Sequence, residues 1–139
     1  MIDILSGIQS TAAALDAERT RLDVISENIA NANTTRGPDG KPYQRQEVVF
    51  ESALQQAMDG QQVPMLKVAG IVKDPRPFEE VYEPGSPDAD AHGMVAMPNV
   101  NVNEEMADMI AASRAFEANL AVVKNARAMA LQVLSIGKH

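Results

Sequence analysis

All eight prolines of this 139-residue chain fall between Pro38 and Pro98. Proline lacks a backbone donor and clashes with the preceding turn, so it is excluded from helix interiors. The two proline-free ends can therefore be long helices, and the middle cannot.

Apolar spacing gives the same division. Over about residues 3–32, Ile4, Ile8, Ala12, Leu15, Leu22, Ile25, Ile29 and Ala32 recur at intervals of three, four and seven, the mark of one apolar stripe on a helix. Over about 103–136, Met106, Met109, Phe116, Leu120, Val123, Ala130 and Leu134 form a second seam. Asn101 or Asn103 can cap this second helix. Glu104, Glu105 and Asp108 suit the positive end of its dipole, and Lys124, Arg127 and Lys138 complement the other end.

Between the helices, alternation predicts strands at Tyr43–Phe50, Val63–Lys73, Phe78–Tyr82 and Met94–Met97, separated by turns such as residues 37–40 and 83–88. Residues 52–59 read as one or two helical turns. The chain is thus α+β in three parts. An N-terminal helix (1–33) and a C-terminal helix (103–139) pair as a coiled-coil-like hairpin, with a small β-rich segment (34–102) between them. The helices span about 43 Å and 51 Å, while only about seventy residues remain to build a β core. Isolated helices of this kind are marginal in water, so both seams require a partner. A hairpin within one chain and self-assembly both satisfy that requirement.

Composition narrows the function classes. Nineteen acidic against twelve basic side chains give a net charge of −7, which works against binding nucleic acid or anionic lipid. The chain has no Cys, hence no disulfide or thiolate metal site, and no apolar run approaches the ~18 residues of a membrane span. Its first residues lack the basic and apolar regions of a cleaved secretion signal.

Catalytic parts are sparse. The histidines are His92 and the terminal His139. Residues 88–93 resemble the opening of a calcium loop, but His92 stands where an oxygen ligand belongs and Asn99 replaces the bidentate Glu. Residues 37–41 lack the spacing of a phosphate loop. The expectation is no enzyme, no metal and no cofactor.

One local feature stands apart: Asn28, Asn31 and Asn33 cluster where the first helix must end. Asn favours helix ends and turns, so this is either a capped terminus or a sharply specified exit into the middle segment.

At these residues the chain resembles a known family. Leu22-Asp-Val-Ile-Ser-Glu-Asn28-Ile-Ala-Asn31-Ala-Asn33-Thr34 is similar to the N-terminal signature of the bacterial flagellar axial proteins, the rod, hook and hook-associated subunits. The stretch Asn101-Val-Asn-Glu-Glu105 through Arg114-Ala-Phe116-Glu-Ala-Asn119 is similar to their C-terminal signature. The family's usual Gly-aromatic pair is replaced by residues 35–43. With residues 82–90 and 97–101, that segment resembles the proximal rod members.

The resemblance implies a structural rod subunit exported through the flagellar type III apparatus without a cleaved signal. Its terminal helices would assemble into a periplasmic, torque-transmitting shaft around an export channel. The implied partners are copies of itself, other rod subunits, neighbouring ring and rod-adapter proteins and the export apparatus, with no nucleic acid and no membrane insertion. The expected subunit interface comprises Ile4, Ile8, Leu15, Leu22, Ile25, Asn28, Ile29, Asn31, Asn33, Met106, Met109, Phe116, Leu120, Val123 and Leu134. Thr11, Glu18, Ser113 and Arg127 interrupt the seams and would set register, as polar seam positions do in coiled coils. The alternative is a soluble coiled-coil adaptor or export chaperone for other flagellar subunits.

Overall fold

A computed structural model describes residues 2–56 and 60–138. Helix α1 (Ile2–Ala30) is followed by strands β1 (Gln46–Gln56), β2 (Gln62–Lys73), β3 (Glu79–Tyr82) and β4 (Met94–Met97), then helix α2 (Val102–Ile136). The α+β expectation holds, and the helix boundaries fall within two residues of those read from periodicity.

Helix α2 starts where its sequence says it should. The Asn101 side chain accepts from the backbone N–H groups of Asn103 and Glu104, and Glu104 and Glu105 occupy the first turn. Its end differs from expectation. The helix stops at Ile136 with no basic residue in its last turn, because Lys124 and Arg127 lie well before the terminus and Lys138 lies beyond it.

The strands make two separate two-stranded antiparallel sheets, β1–β2 and β3–β4. The larger is a ribbon running from the Gln46–Lys73 pair to the Gln56–Gln62 pair. Its register slips once, with Val49 opposite Gly70 and Phe50 opposite Val68, so that β2 carries one extra residue and the ribbon twists locally. Pro64 is tolerated in β2 because a two-stranded ribbon leaves one side of each strand unpaired. The helical turns expected at 52–59 are not formed. Residues through Gln56 continue β1 because they pair with β2, which outweighs their local preference, and residues 57–59 lie outside the described residues.

The ribbon lies along α1. The Ser10 hydroxyl donates to the Pro64 carbonyl at 3.1 Å, and small residues Ala13, Ala17 and Thr20 leave a groove beside Leu66, Lys67 and Val68. The core is thin: among the described residues the buried apolar side chains are Ala17, Val24, Ile25, Ala32, Met65, Val95 and Ala112. Three of these seven are alanines, so the helices and ribbon approach closely but bury little side-chain volume.

Helices α1 and α2 pack antiparallel. Asn28 near the end of α1 meets Glu105 near the start of α2, and residues 4–11 share a cleft with residues 122–129. In that register the last turns of α2, from about Leu131, run past the start of α1. Residues 131–138 are all exposed.

Candidate functional site

The most completely buried polar groups lie where α1, the ribbon and α2 converge. Asn28 is 1% exposed and Glu105 is 0% exposed, although α1 is mostly half-buried and α2 mostly exposed. Burying such groups is costly unless every hydrogen-bonding atom is satisfied.

The Asn28 amide donates to the Gln46 carbonyl at 2.9 Å and to Glu105 Oε2 at 3.3 Å. Its oxygen accepts from the Tyr43 hydroxyl at 2.8 Å and the Gln46 backbone N–H at 3.0 Å. The carboxamide is thereby used fully, and it fixes the start of β1 against α1. Arg45 supplies the countercharge. Its Nε donates to Glu105 Oε1, and its Nη1 donates to Glu47 and, at 3.1 Å, to Asp74; Nη2 lies 3.7 Å from Asp108. A second guanidinium, Arg76, donates to Asp74 at 2.8 Å and lies 3.6 Å from Glu104.

These contacts shift the groups' titration. The Arg76 hydrogen bond is the main cause that holds the buried Asp74 carboxyl down at about 2, with the Arg76 backbone N–H and Arg45 assisting. Burial pushes the Tyr43 phenol up to about 12, reinforced by the Glu27 and Glu105 charges. Burial alone would lower the Arg45 pKa, but the carboxylates of Glu105, Glu47 and Asp74 outweigh it and raise it. Asp74 is therefore ionised and Tyr43 neutral across ordinary pH.

Asn99 ties in the loop before α2. Its Oδ1 accepts from the Arg45 backbone N–H at 2.7 Å, and its amide donates to the carbonyls of Asp74 and Arg76. The joint thus cross-braces both helices, the ribbon and both chain segments that enter it.

The sequence reading found Asn28 as part of the Asn cluster. It took Glu105 as a first-turn acid suited to the helix dipole and passed over Arg45. The available signal was spacing: Glu105, Met109, Ala112 and Phe116 share one helical stripe, so a carboxylate on that face needs a buried cation.

The other expected interface residues divide by depth. Ile25 is 4% exposed, whereas Ile4, Ile8, Leu15, Leu22 and Ile29 of α1 and Met109, Phe116, Leu120 and Val123 of α2 are half-buried. Ile4, Ile8 and Val123 border an open cleft of about 340 Å³. Asn31 is half-buried; its side chain donates to the Glu27 carbonyl and accepts from Thr34, so it caps α1, while Asn33 is exposed. Met106 and Leu134 are more than half exposed: Met106 points away from α1, and Leu134 lies beyond it. Of the polar seam positions, Glu18 reaches Arg21 at 3.6 Å, Thr11 bonds back to the Gly7 carbonyl, and Arg127 is exposed.

The acidic turn commits its carboxylates locally. Asp88 pairs with Arg36 at 2.6 Å and accepts from the Thr35 hydroxyl, and Asp90 accepts from the His92 and Met94 backbone N–H groups.

Paired terminal helices that leave apolar side chains exposed, cross-braced to a small β middle, have the parts of a structural subunit that assembles through its ends. Comparison with known proteins fixes the branch. Residues 8–38 match the flagella basal body rod protein family, and residues 91–136 match the C-terminal family of flagellar basal body rod FlgEFG proteins. The flagellar basal-body rod protein FlgC of Yersinia enterocolitica is 41% identical, with 99% of this chain and all of the relative covered. The FlgC proteins of Borreliella burgdorferi (41% identical, 96% and 97% covered) and Bacillus subtilis (38%, 92% and 94%) are also similar. The chain belongs to the FlgC family and is a structural subunit of the flagellar basal-body rod.

Proposed function

We propose that this subunit polymerises helically through its terminal helices, forming the periplasmic shaft that transmits torque and encloses the export channel. The observation that carries this reading is the number of exposed apolar side chains around α2. Met106, Ile110, Val122, Met129, Leu131, Leu134 and Ile136 are all more than half exposed along a helix that continues past its partner. Apolar area on this scale is satisfied by association, and contacts that do not close produce a filament. Copies of the chain and other rod subunits cover these side chains, while ring and rod-adapter proteins meet the outer β segment. The type III apparatus delivers the chain without a cleaved signal, and the helices complete their packing on assembly.

Stiffness follows from the joint. A shaft transmits torque only if helices and outer segment turn together, and Arg45 links carboxylates from α2, β1 and the segment after β2. Quantifying the chain in purified basal bodies tests the reading. A rod subunit is present at a fixed, multi-copy stoichiometry. A substoichiometric or absent chain would instead favour the adaptor.

A further inference from the structure

The helix pair is electrically polarised along its length. Between Ile4 and Leu15, α1 carries no charge, and from Ala118 onward α2 carries Lys124 and Arg127 with no carboxylate, with Lys138 just past its end. At the joint end the carboxylates predominate. Asp16, Asp23 and Glu27 are exposed on α1, and none of them forms an ion pair within the described chain; the same is true of Lys124 and Arg127. Glu27 is also misplaced by local physics, since a carboxylate in the last turn of a helix opposes its dipole, and α1 has no basic residue there.

Each set has the spacing to face the other. Asp16, Asp23 and Glu27 lie on one stripe of α1, while Lys124, Arg127, Leu131 and Leu134 lie on one stripe of α2, and Lys138 follows the helix end. Within one chain they cannot meet. The antiparallel register that joins Asn28 to Glu105 sets Lys124 level with Gln9, about 18 residues or ~27 Å from Glu27.

We propose that the cationic end of α2 in one copy docks on the carboxylate stripe of α1 in a second copy displaced by ~27 Å along the helix axis. In that register Lys124 faces Glu27, Arg127 faces Asp23, and Lys138 extends toward Asp16. The exposed apolar residues Leu131 and Leu134 lie between the charged pairs and are covered in the same contact. This rests on the rod-subunit reading and adds to it which ends meet, in which register, and that the partner is a copy of the same chain. Charge complementarity of this type fixes register and excludes wrong pairings.

Because the chain has no cysteine, the register can be read directly. A full-length chain carrying Glu27→Cys and Lys124→Cys is incorporated into basal bodies and treated with a mild oxidant. The expected result is a ladder of disulfide-linked multimers, since a disulfide needs Cα atoms within about 7 Å and the two sites in one copy are far apart. Monomers only, from basal bodies that contain the variant, overturn the proposal.

Charge reversal supplies the second arm. Lys124→Glu with Arg127→Glu, and separately Asp23→Lys with Glu27→Lys, each reduce incorporation about tenfold or more, and the four reversals combined in one chain restore it. Both double variants incorporating normally would overturn the proposal. So would a folded fourfold variant as defective as the doubles, which would assign the charges to a different subunit. Failure of the wild-type chain to enter basal bodies is a separate result that removes the rod reading itself.

Discussion

The side-chain amide of Asn28 in α1 donates to the carboxylate of Glu105 in α2 across 3.3 Å, and neither side chain reaches solvent. The pair joins residues 77 positions apart in sequence, one from each terminal helix. Neither helix can satisfy its own buried polar group alone, so the joint makes the folding of the two ends interdependent.

Removing the countercharge is the harshest test of that joint. Arg45→Met leaves Glu105 buried with only the Asn28 amide, and it is expected to cost about 3–5 kcal/mol. Glu105→Gln keeps the shape and leaves Arg45 paired with Asp74 and Glu47, so it is expected to cost about 1–3 kcal/mol. Combining Arg45→Met with Glu105→Met recovers part of the loss. Denaturant unfolding of the wild type, Arg45→Met, Glu105→Met and the double variant measures this, and strictly additive losses would show that the two residues are energetically independent.

Acid should weaken the molecule at an identifiable group. The folded-state pKa of Asp74 is depressed to about 2, chiefly by Arg76, so its contribution is complete above the ordinary carboxylate range near 4 and is lost as pH falls through 2. Asp74→Asn should flatten the pH dependence of stability between about 4 and 2, while lowering stability at neutral pH. Melting curves across that interval decide it. An unchanged slope would place the acid sensitivity elsewhere.

Base acts on the opposite side of the joint. Burial lifts Tyr43 to about 12, so its neutral form is favoured in the folded chain. The resulting stability is complete below the ordinary tyrosine pKa near 10 and is lost as pH rises toward 12. Ultraviolet titration should show one of the two tyrosines ionising late, and Tyr43→Phe should remove that step.

The β3–β4 turn depends on one glycine. Gly93 adopts φ +77°, and a Cβ there would lie 2.9 Å from the Tyr82 ring and 3.0 Å from Pro84. Gly93→Ala should cost about 1–2 kcal/mol for the left-handed backbone and about 1–3 kcal/mol for the collision. Gly40, at φ +76° with open space around it, supplies the control, since Gly40→Ala meets only the backbone cost. Equal destabilisation of the two variants would remove the steric role assigned to Tyr82.

How much of this was legible in the sequence follows from the range of each interaction. The helices were legible because their signals are local: no proline, apolar spacing of three and four, and Asn101 ahead of Glu104 and Glu105. Three strands were also placed closely by alternation. Residues 52–56 were not, because their strand is imposed by pairing with β2, and local preference carries no record of that partner. Arg45 and Asp74 were invisible for the same reason. Their roles arise from a meeting of segments 29 and 60 residues apart, whereas a motif reading follows fixed short spacings.

The seam reading shows a subtler loss. Met106 and Leu134 fit the heptad seam, yet both are exposed, while Glu105 and Ala112 are fully buried. Leu134 is exposed because the antiparallel register carries it past the start of α1, and Met106 because it sits about 100° around the helix from the buried Glu105. On α2 Met109, Phe116, Leu120 and Val123 keep both patterns, and the apolar side chains off that face or past α1 remain exposed.

That division yields the prediction that separates folding from assembly. Leu134 is 56% exposed and lies beyond α1, so Leu134→Asp should change the stability of the isolated chain by no more than about 0.5 kcal/mol. In the rod the same substitution buries a carboxylate at every repeat of the interface, and incorporation into basal bodies should fail. Ile25 is 4% exposed beneath the ribbon, so Ile25→Asp should unfold the isolated chain before assembly arises. Circular dichroism of the purified variants and motility of cells expressing them distinguish the two defects. Full motility with Leu134→Asp would mean that the overhanging turns of α2 face water in the rod, and the contact surface would have to lie nearer the joint, around Met106 and Ile110.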